Sequence, residues 1–170
     1  MTADIIDGKA FAVGLRGMVA QQTAQLKDSH GLTPGLTVVI VGNDPASQIY
    51  VRNKGKVADE MGFRSDTISL PEDTTQEQLL EVIVGLNDDP AVHGILVQLP
   101  VPEQIDEGVV ILAIDPNKDV DGLHPINAGR LSSGQSALVP CTPLGCSMLL
   151  ADRFGKGGMA GKRAVMVGRS

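Results

Sequence analysis

Apolar residues recur along the chain with two spacings, and segments of one kind alternate with segments of the other. Aliphatic runs at 36–42 and 94–100 are typical of buried strands, and residues 63–70 alternate well enough for a third strand. Helical spacing predicts helices at 8–30, at 45–61, from Thr74 or Thr75 through Leu86, near 103–114, near Asn127, and from Thr142 or Pro143 to about Phe154. This alternation predicts an α/β fold, with a mostly parallel sheet and helices on both faces.

Local signals mark the ends of some of these helices. Asn43 or Asp44 can cap the second helix, with Pro45 at its first position and Gly62 as its stop. Thr142 is expected to cap the last helix. A final apolar run at 162–168 follows a glycine-rich linker and predicts one more strand.

Composition excludes several classes of protein. The formal net charge of −6 argues against nucleic-acid binding, which needs a basic surface. The sequence has no apolar run of about 18 residues, as a transmembrane helix needs, and its start does not resemble a secretory signal. We therefore expect a cytoplasmic protein without a membrane partner. The three histidines and two cysteines lack metal-ligand spacing, so we expect no metal site.

Candidate chemistry follows the predicted strands, where open parallel sheets bind ligands beyond the carboxyl ends. Tyr50 and Lys54 are four residues apart and share one face of the second helix. Lys54 either keeps its ammonium in water or is partly desolvated, and desolvation would suit it to proton transfer near neutral pH. Gln98 ends a buried strand, where its amide either simply terminates the strand or holds Lys54 or a ligand.

Two further segments have polar residues in constrained positions. Asp119 and Asp121 lie in a DVDG sequence that lacks the other ligands of a calcium loop. It is either a turn with solvated carboxylates or a place where a buried Asp accepts hydrogen bonds from a ligand. Cys141 has no basic partner in sequence, so we do not expect a nucleophile there. The closing GKRAVMVGRS is typical of a strand entering a glycine-containing turn, but a nucleotide-binding loop would need further glycines and then the N-terminus of a helix.

The order and spacing of five segments are more specific than any one of them. The segments NDPASQIYVRNKGK, GILVQLPVP, PNKDVDGLHPINAGRL, PCTPLG and VGRS together resemble the bifunctional methylenetetrahydrofolate dehydrogenase/methenyltetrahydrofolate cyclohydrolase family. The resemblance covers nearly the whole chain and shows no departure at Tyr50, Lys54, Gln98 and Asp121. It implies two reactions: NADP-dependent oxidation of 5,10-methylenetetrahydrofolate to the 5,10-methenyl cation, and hydrolysis of that cation to 10-formyltetrahydrofolate.

The resemblance also implies roles for single residues. Lys54 would assist the cyclohydrolase step, Gln98 would orient the lysine, Tyr50 would pack against the aminobenzoyl group, and Asp121 would recognise the pterin ring. The remaining expected contacts are Leu99, Pro100 and Val101 at the pterin, Thr142 and Pro143 near the cofactor domain, and Gly168, Arg169 and Ser170 in the NADP-binding loop. Family membership further implies a homodimer whose small-molecule partners are tetrahydrofolate derivatives.

The family's second domain is a Rossmann-type NADP-binding fold, which predicts how this chain is divided. We expect a folate-binding catalytic domain over residues 1–145, and over residues 146–170 a linking helix and the first strand of a dinucleotide-binding domain that is cut off. A lone apolar strand would have unpaired edges, so we expect the natural chain to continue past Ser170. The 170 residues alone should not transfer hydride.

Two other functions remain open at this stage. A shikimate- or amino-acid-type dehydrogenase also joins an α/β substrate domain to a nucleotide domain, although the Tyr50/Lys54 spacing with QLP and DVDG counts against it. A non-catalytic module that binds folate or only dimerises would also be compatible with these motifs.

Overall fold

The computed structural model describes residues 3–168, and within them the chain forms three strands and six helices. In chain order these are α1 (Gly8–His30), β1 (Gly35–Val41), α2 (Pro45–Glu60), β2 (Arg64–Leu70), α3 (Gln76–Asp88), β3 (Gly94–Val97), α4 (Glu107–Ala113), α5 (Pro125–Ser132) and α6 (Cys141–Phe154). The predicted alternation of helices and strands is therefore confirmed.

The strands form one parallel sheet with the order β2-β1-β3. The central strand β1 is buried along nearly its whole length, as its aliphatic composition predicts. The edge strand β2 is half exposed and more polar. A single parallel bridge between Ile95 and Asp119 extends the hydrogen bonding beyond β3, so the segment after α4 lies beside the sheet.

Helices cover both faces of the sheet, because successive side chains of β1 point to opposite sides. Val39 and Val41 pack with Leu79 and Ile83 of α3 and with Val110 of α4. On the other face, Val38, Ile40 and Leu96 pack with Val51 of α2. The prediction of helices on both faces of the sheet is confirmed, and α2 packs against the face formed by Val38 and Ile40.

Capping residues set where helices α2 and α3 begin. The Asp44 carboxylate accepts a hydrogen bond from the Ser47 N–H at 2.7 Å, with Pro45 in the first turn of α2. Thr75 forms a capping box with Gln78 at the start of α3. Both caps agree with the sequence-based predictions.

Three boundaries differ from prediction. The strand predicted to reach residue 100 ends at Val97, since Pro100 has no N–H with which to continue a ladder. The helix predicted from residue 103 begins at Glu107, because the Asp106 side chain accepts hydrogen bonds from the N–H groups of Gly108 and Val109 and fixes the start there. Thr142 is not a cap: α6 begins at Cys141, with Pro140 preceding it and no side-chain cap.

The strand predicted at 162–168 is also absent from the described structure. Residues 162–168 have no regular conformation, and Val165, Met166 and Val167 are 89%, 97% and 94% exposed. A strand needs a neighbour for its N–H and C=O groups, and no described strand lies beside this segment. Within residues 3–168, no helix has both the length and the hydropathy required to cross a membrane.

Candidate functional site

The central feature of the site is a hydrogen bond between α2 and the end of β3. The Lys54 Nζ donates to the Gln98 Oε1 at 3.2 Å, and both side chains are partly buried. Gln98 directly follows β3, and its backbone N–H donates to the Val39 carbonyl at 2.8 Å. The carboxyl edge of the sheet therefore fixes the residue that holds Lys54, as one of the two readings of Gln98 predicts.

A second hydrogen bond sets the orientation of the Gln98 amide. Its Nε2 donates to the Leu99 carbonyl at 2.7 Å, so its Oε1 must be the atom that faces Lys54. Lys54 is thus presented with an acceptor that cannot itself give up a proton. This arrangement leaves the remaining positions on Nζ for water or a ligand.

Tyr50 lies one helical turn before Lys54 and is 63% exposed. Both residues line an open groove of about 570 Å³ between α1 and α2. Apart from Arg16 and Asn53, the other residues that line the groove are apolar, among them Leu15 and Val19 of α1 and Val57 of α2. An exposed ring at the mouth of an apolar groove is suited to stacking against a flat ligand.

Asp121 is the acidic group of the site and is half buried. Burial raises the pKa of its carboxyl group; Lys54 acts in the opposite direction, and Asp119 adds to the rise. Among the described residues, the Asp121 side chain makes no hydrogen bond. A carboxyl group without protein partners beside a lysine is free to accept hydrogen bonds from a ligand.

The DVDG turn that presents Asp121 packs against the chain just before α6. Gly122 has a φ of +66°, and a Cβ there would lie 2.6 Å from the Pro140 nitrogen. The Cys141 Sγ donates to the Val120 carbonyl at 3.5 Å. Glycine is therefore required at position 122 both for its backbone conformation and for this close approach.

Sequence reasoning did not place Cys141 near the site. Burial raises the pKa of its thiol, as does the charge of Asp121, while Lys54 lowers it. A thiol held in its protonated form is a poor nucleophile, which agrees with the expectation that Cys141 is not catalytic. The nineteen residues 122–140, which comprise irregular chain and the short helix α5, separate it from Asp121, so no local pattern could have revealed the contact.

The residues expected to flank the pterin have different surroundings. Leu99 and Asp121 line a small cavity of about 10 Å³. Pro100 is exposed and follows a cis peptide bond, whereas Val101 packs against the core on the α3 side of the sheet. Leu99 is thus the member of this group that lies beside Asp121.

The residues expected at the cofactor are not gathered into a site. Thr142 and Pro143 lie exposed in the first turn of α6, and Gly168 is exposed in the irregular segment. Arg169 and Ser170 lie outside the described residues. The expected NADP contacts of these five residues therefore stay a prediction.

Comparison with known proteins shows the family of this chain. Residues 6–121 match the family model "Tetrahydrofolate dehydrogenase/cyclohydrolase, catalytic domain". The bifunctional protein FolD of Phenylobacterium zucineum is 58% identical over 170 residues, which are all of this chain and 57% of the relative. The chain thus spans little more than half the length of the curated relatives it matches.

Solved structures share the fold. The bifunctional FolD methylenetetrahydrofolate dehydrogenase/cyclohydrolase of Campylobacter jejuni superposes with a TM-score of 0.87 at 43% identity, covering 89% of this chain and 54% of that one. The Trypanosoma brucei enzyme, solved with NADP cofactor and inhibitor, has a TM-score of 0.85 at 38% identity, over 90% of this chain and 53% of that one. The chain belongs to the tetrahydrofolate dehydrogenase/cyclohydrolase family, whose catalytic-domain model it matches.

Proposed function

We propose that the protein interconverts one-carbon derivatives of tetrahydrofolate and that the described residues supply the folate site. The Lys54–Gln98 hydrogen bond beside the half-buried Asp121 is the observation that carries this proposal. Membership of the family supports both parts of the activity, the NADP-dependent oxidation of 5,10-methylenetetrahydrofolate and the hydrolysis of 5,10-methenyltetrahydrofolate.

In the hydrolytic step, Lys54 moves the proton of the attacking water. The water oxygen bonds to the cationic methenyl carbon, and one water proton passes to the Lys54 amine, directly or through a second water. The carbon–N5 bond then breaks, and the proton of the new hydroxyl group moves to N5 as the formyl C=O forms. Substrate cation and water thus give 10-formyltetrahydrofolate and one proton.

This role requires the neutral form of Lys54 when the water attacks, because a neutral amine has a lone pair to accept a proton and does not repel the cationic carbon as an ammonium would. The Gln98 Oε1 accepts a hydrogen bond from the Lys54 Nζ at 3.2 Å and so holds the amine in place. Gln98 is therefore proposed to orient the lysine, with Tyr50 packing against the aminobenzoyl group of the substrate.

Asp121 is proposed to bind the pterin. The amino and N–H groups of a pterin donate hydrogen bonds, and an ionised carboxylate only accepts them. Asp121 has no competing partner among the described residues, and Leu99 lies beside it. An acceptor without a protein partner is the feature expected of a ligand-binding carboxylate.

The oxidation needs NADP, which accepts the hydride when it is bound. The Trypanosoma brucei relative was solved with NADP, whereas a relative from Saccharomyces cerevisiae is described as NAD-dependent, at 25% identity and a TM-score of 0.73. The described residues do not form the dinucleotide site, so no step of hydride transfer is assigned to them. A division near residue 145, a homodimer and a cytoplasmic location remain part of the proposal.

The decisive experiment is the hydrolysis of 5,10-methenyltetrahydrofolate, followed by its absorbance in single turnovers. Lys54→Met should slow the reaction by at least about 100-fold, the range lost with a general acid–base group. Lys56→Met is the matched control, because Lys56 is exposed and forms a surface ion pair with Glu60. An unchanged rate in Lys54→Met would refute the proton-transfer role.

A second measurement tests the pterin contact. Asp121→Asn should weaken binding of tetrahydrofolate by about tenfold or more, because hydrogen bonds to a charged group contribute about 1.5–3 kcal/mol. Equilibrium titration of folate binding measures this. If affinity is unchanged, Asp121 does not bind the pterin.

The wild-type protein decides between an enzyme and a non-catalytic module. If it hydrolyses 5,10-methenyltetrahydrofolate no faster than buffer alone, a non-catalytic module is favoured.

A further inference from the structure

The acid that precedes Asp121 by two residues has a very different environment. Asp119 is 3% exposed, and its Oδ2 accepts two hydrogen bonds, from the His124 N–H at 2.9 Å and from the Asn127 Nδ2 at 3.0 Å. A carboxylate that accepts two N–H groups in the interior is held firmly in place. Asp119 is therefore not a ligand-binding group itself, although it lies in the same turn as one.

Asn127 links this carboxylate to the chain on the other side of the turn. It is 1% exposed, and its Nδ2 also donates to the Pro116 carbonyl at 2.8 Å. Since both of these partners are acceptors, the orientation of the Asn127 amide is fixed. One buried amide at the start of α5 thus ties together residues 116 and 119.

The backbone around Asp119 is fixed to the sheet as well. The Ile95 N–H donates to the Lys118 carbonyl at 2.8 Å, and Ile95 forms the bridge with Asp119. On the far side, the Gly122 N–H donates to the Asp119 carbonyl at 3.2 Å and closes the turn. Asp121 lies between these attachments and makes no side-chain hydrogen bond among the described residues.

We propose that Asp119 is a positioning residue: anchored by His124 and Asn127, it fixes the turn that presents Asp121 to Lys54 and to the folate substrate. This inference rests on the proposed function, and it adds residues on α5 and at its start to the machinery of the site. The Asp121 carboxyl group has no partner of its own, so its direction depends on the backbone that Asp119 holds.

Asp119 also acts on Asp121 through its charge. The charged and titratable groups that face Asp121 are Lys54 of α2, Asp119 of the same turn and Cys141 of α6. The negative charge of Asp119 raises the pKa of Asp121, so its removal should lower that pKa. If pterin binding needs the Asp121 carboxylate, the acidic limb of the binding profile should then move to lower pH.

Asp119→Asn in the full-length protein tests both effects, with folding checked by thermal unfolding. We expect the KM for 5,10-methenyltetrahydrofolate to rise about tenfold with a much smaller change in kcat, and the acidic limb to move to lower pH. Asp59→Asn is the matched control, because Asp59 is exposed on α2. A KM and a pH profile equal to those of the wild type would overturn the proposal.

Two further variants keep the test decisive. Asn127→Ser removes the amide that donates to Asp119 and to Pro116 but keeps the Asp119 charge, so it should raise KM less and leave the acidic limb in place. An unchanged KM in this variant would overturn the proposal even if Asp119→Asn does not fold. On an Asp121→Asn background, Asp119→Asn should add little, because it acts through Asp121. If Asp121→Asn alone has no effect, the pterin contact within the proposed function fails; if Asp121→Asn weakens binding and Asp119→Asn does not, the role of Asp119 alone is overturned.

Discussion

The run LTVVIVG at the centre of the sheet and the run KRAVMVG near residue 165 look alike in sequence but differ completely in the structure. Val38 and Val39 of the first are 0% exposed, whereas Val165 and Val167 of the second are 89% and 94% exposed. The first run has β2 and β3 as neighbours, and the second has no described strand beside it. An aliphatic β-branched run becomes a strand only where neighbours accept its hydrogen bonds and cover its faces.

The largest expected effect is the loss of stability when a buried residue of β3 is truncated, compared with truncation of an exposed residue in the C-terminal run. Ile95→Ala in β3 should lower the free energy of unfolding by about 2–5 kcal/mol, because Ile95 is 1% exposed and its removal leaves a cavity. Met166→Ala should change it by less than about 0.5 kcal/mol, since Met166 is 97% exposed. Urea unfolding of the 170-residue chain measures the free energy of unfolding of both variants. Equal losses would mean that residues 162–168 pack against the rest of the chain.

Those two runs also show how far sequence could predict the fold. Helix α1 begins and ends where its apolar spacing and Gly31 predict, and Asp44 and Thr75 cap helices as expected. These features depend on contacts within one turn of helix. The strand predicted at 162–168 is not formed in the described structure, because its formation depends on partners that lie elsewhere in a fold.

The candidate site divides in the same way. The pairing of Lys54 with Gln98 was one of two interpretations of the sequence, because Gln98 ends a buried strand and its amide needs hydrogen-bond partners. The contacts of Cys141 and of Asn127 with the DVDG turn could not, since they join segments through irregular chain. Loop contacts of this kind follow from the whole fold and leave no periodic signal in the sequence.

The next prediction compares two glycines with the same backbone conformation. Gly122→Ala should cost about 2–4 kcal/mol, because φ is +66° and a Cβ would lie 2.6 Å from the Pro140 nitrogen. Gly161→Ala, in the C-terminal segment, should cost only about 1–2 kcal/mol, since φ is +74° but nothing lies within 4 Å. Thermal unfolding of the two variants gives the difference. Equal costs would show that the Pro140 contact is not tight.

A smaller effect is expected from a lysine that joins the DVDG segment to α3. The Lys118 Nζ donates to the carbonyls of Leu86, Asn87 and Asp89 at 3.0, 2.6 and 2.8 Å, at the C-terminal end of that helix. Lys118→Met should therefore cost about 2 kcal/mol. Lys156 lies in the exposed C-terminal region, so Lys156→Met should hardly change the free energy of unfolding in the same urea titration. A neutral Lys118→Met would show that these hydrogen bonds are replaced by water without cost.

The smallest expected effect is the stability that the folded protein loses because the Asp121 carboxylate is partly buried. Its pKa in the folded chain is raised above the ordinary 3.8, mainly by burial, so its charged form is less favourable when folded than when unfolded. Above the folded pKa the ionised carboxylate lowers stability. Below 3.8 the group is protonated in both states, and the protein recovers this stability. Asp121→Asn should therefore raise the melting temperature at pH 7, and this advantage should shrink as the pH falls below the folded pKa.

Asp152→Asn, at an exposed position of α6, is the control. It should not change the melting temperature at pH 7 or at a pH below the folded pKa of Asp121. A wild-type protein more stable than Asp121→Asn at neutral pH would mean that a partner stabilises the carboxylate. The exposed C-terminal run lacks the neighbours that would make it a strand, whereas the Asp121 side chain lacks a hydrogen-bond partner among the described residues although its turn is well packed. A half-buried acid that costs stability and has no hydrogen-bond partner among those residues has the features expected of a group that binds a ligand.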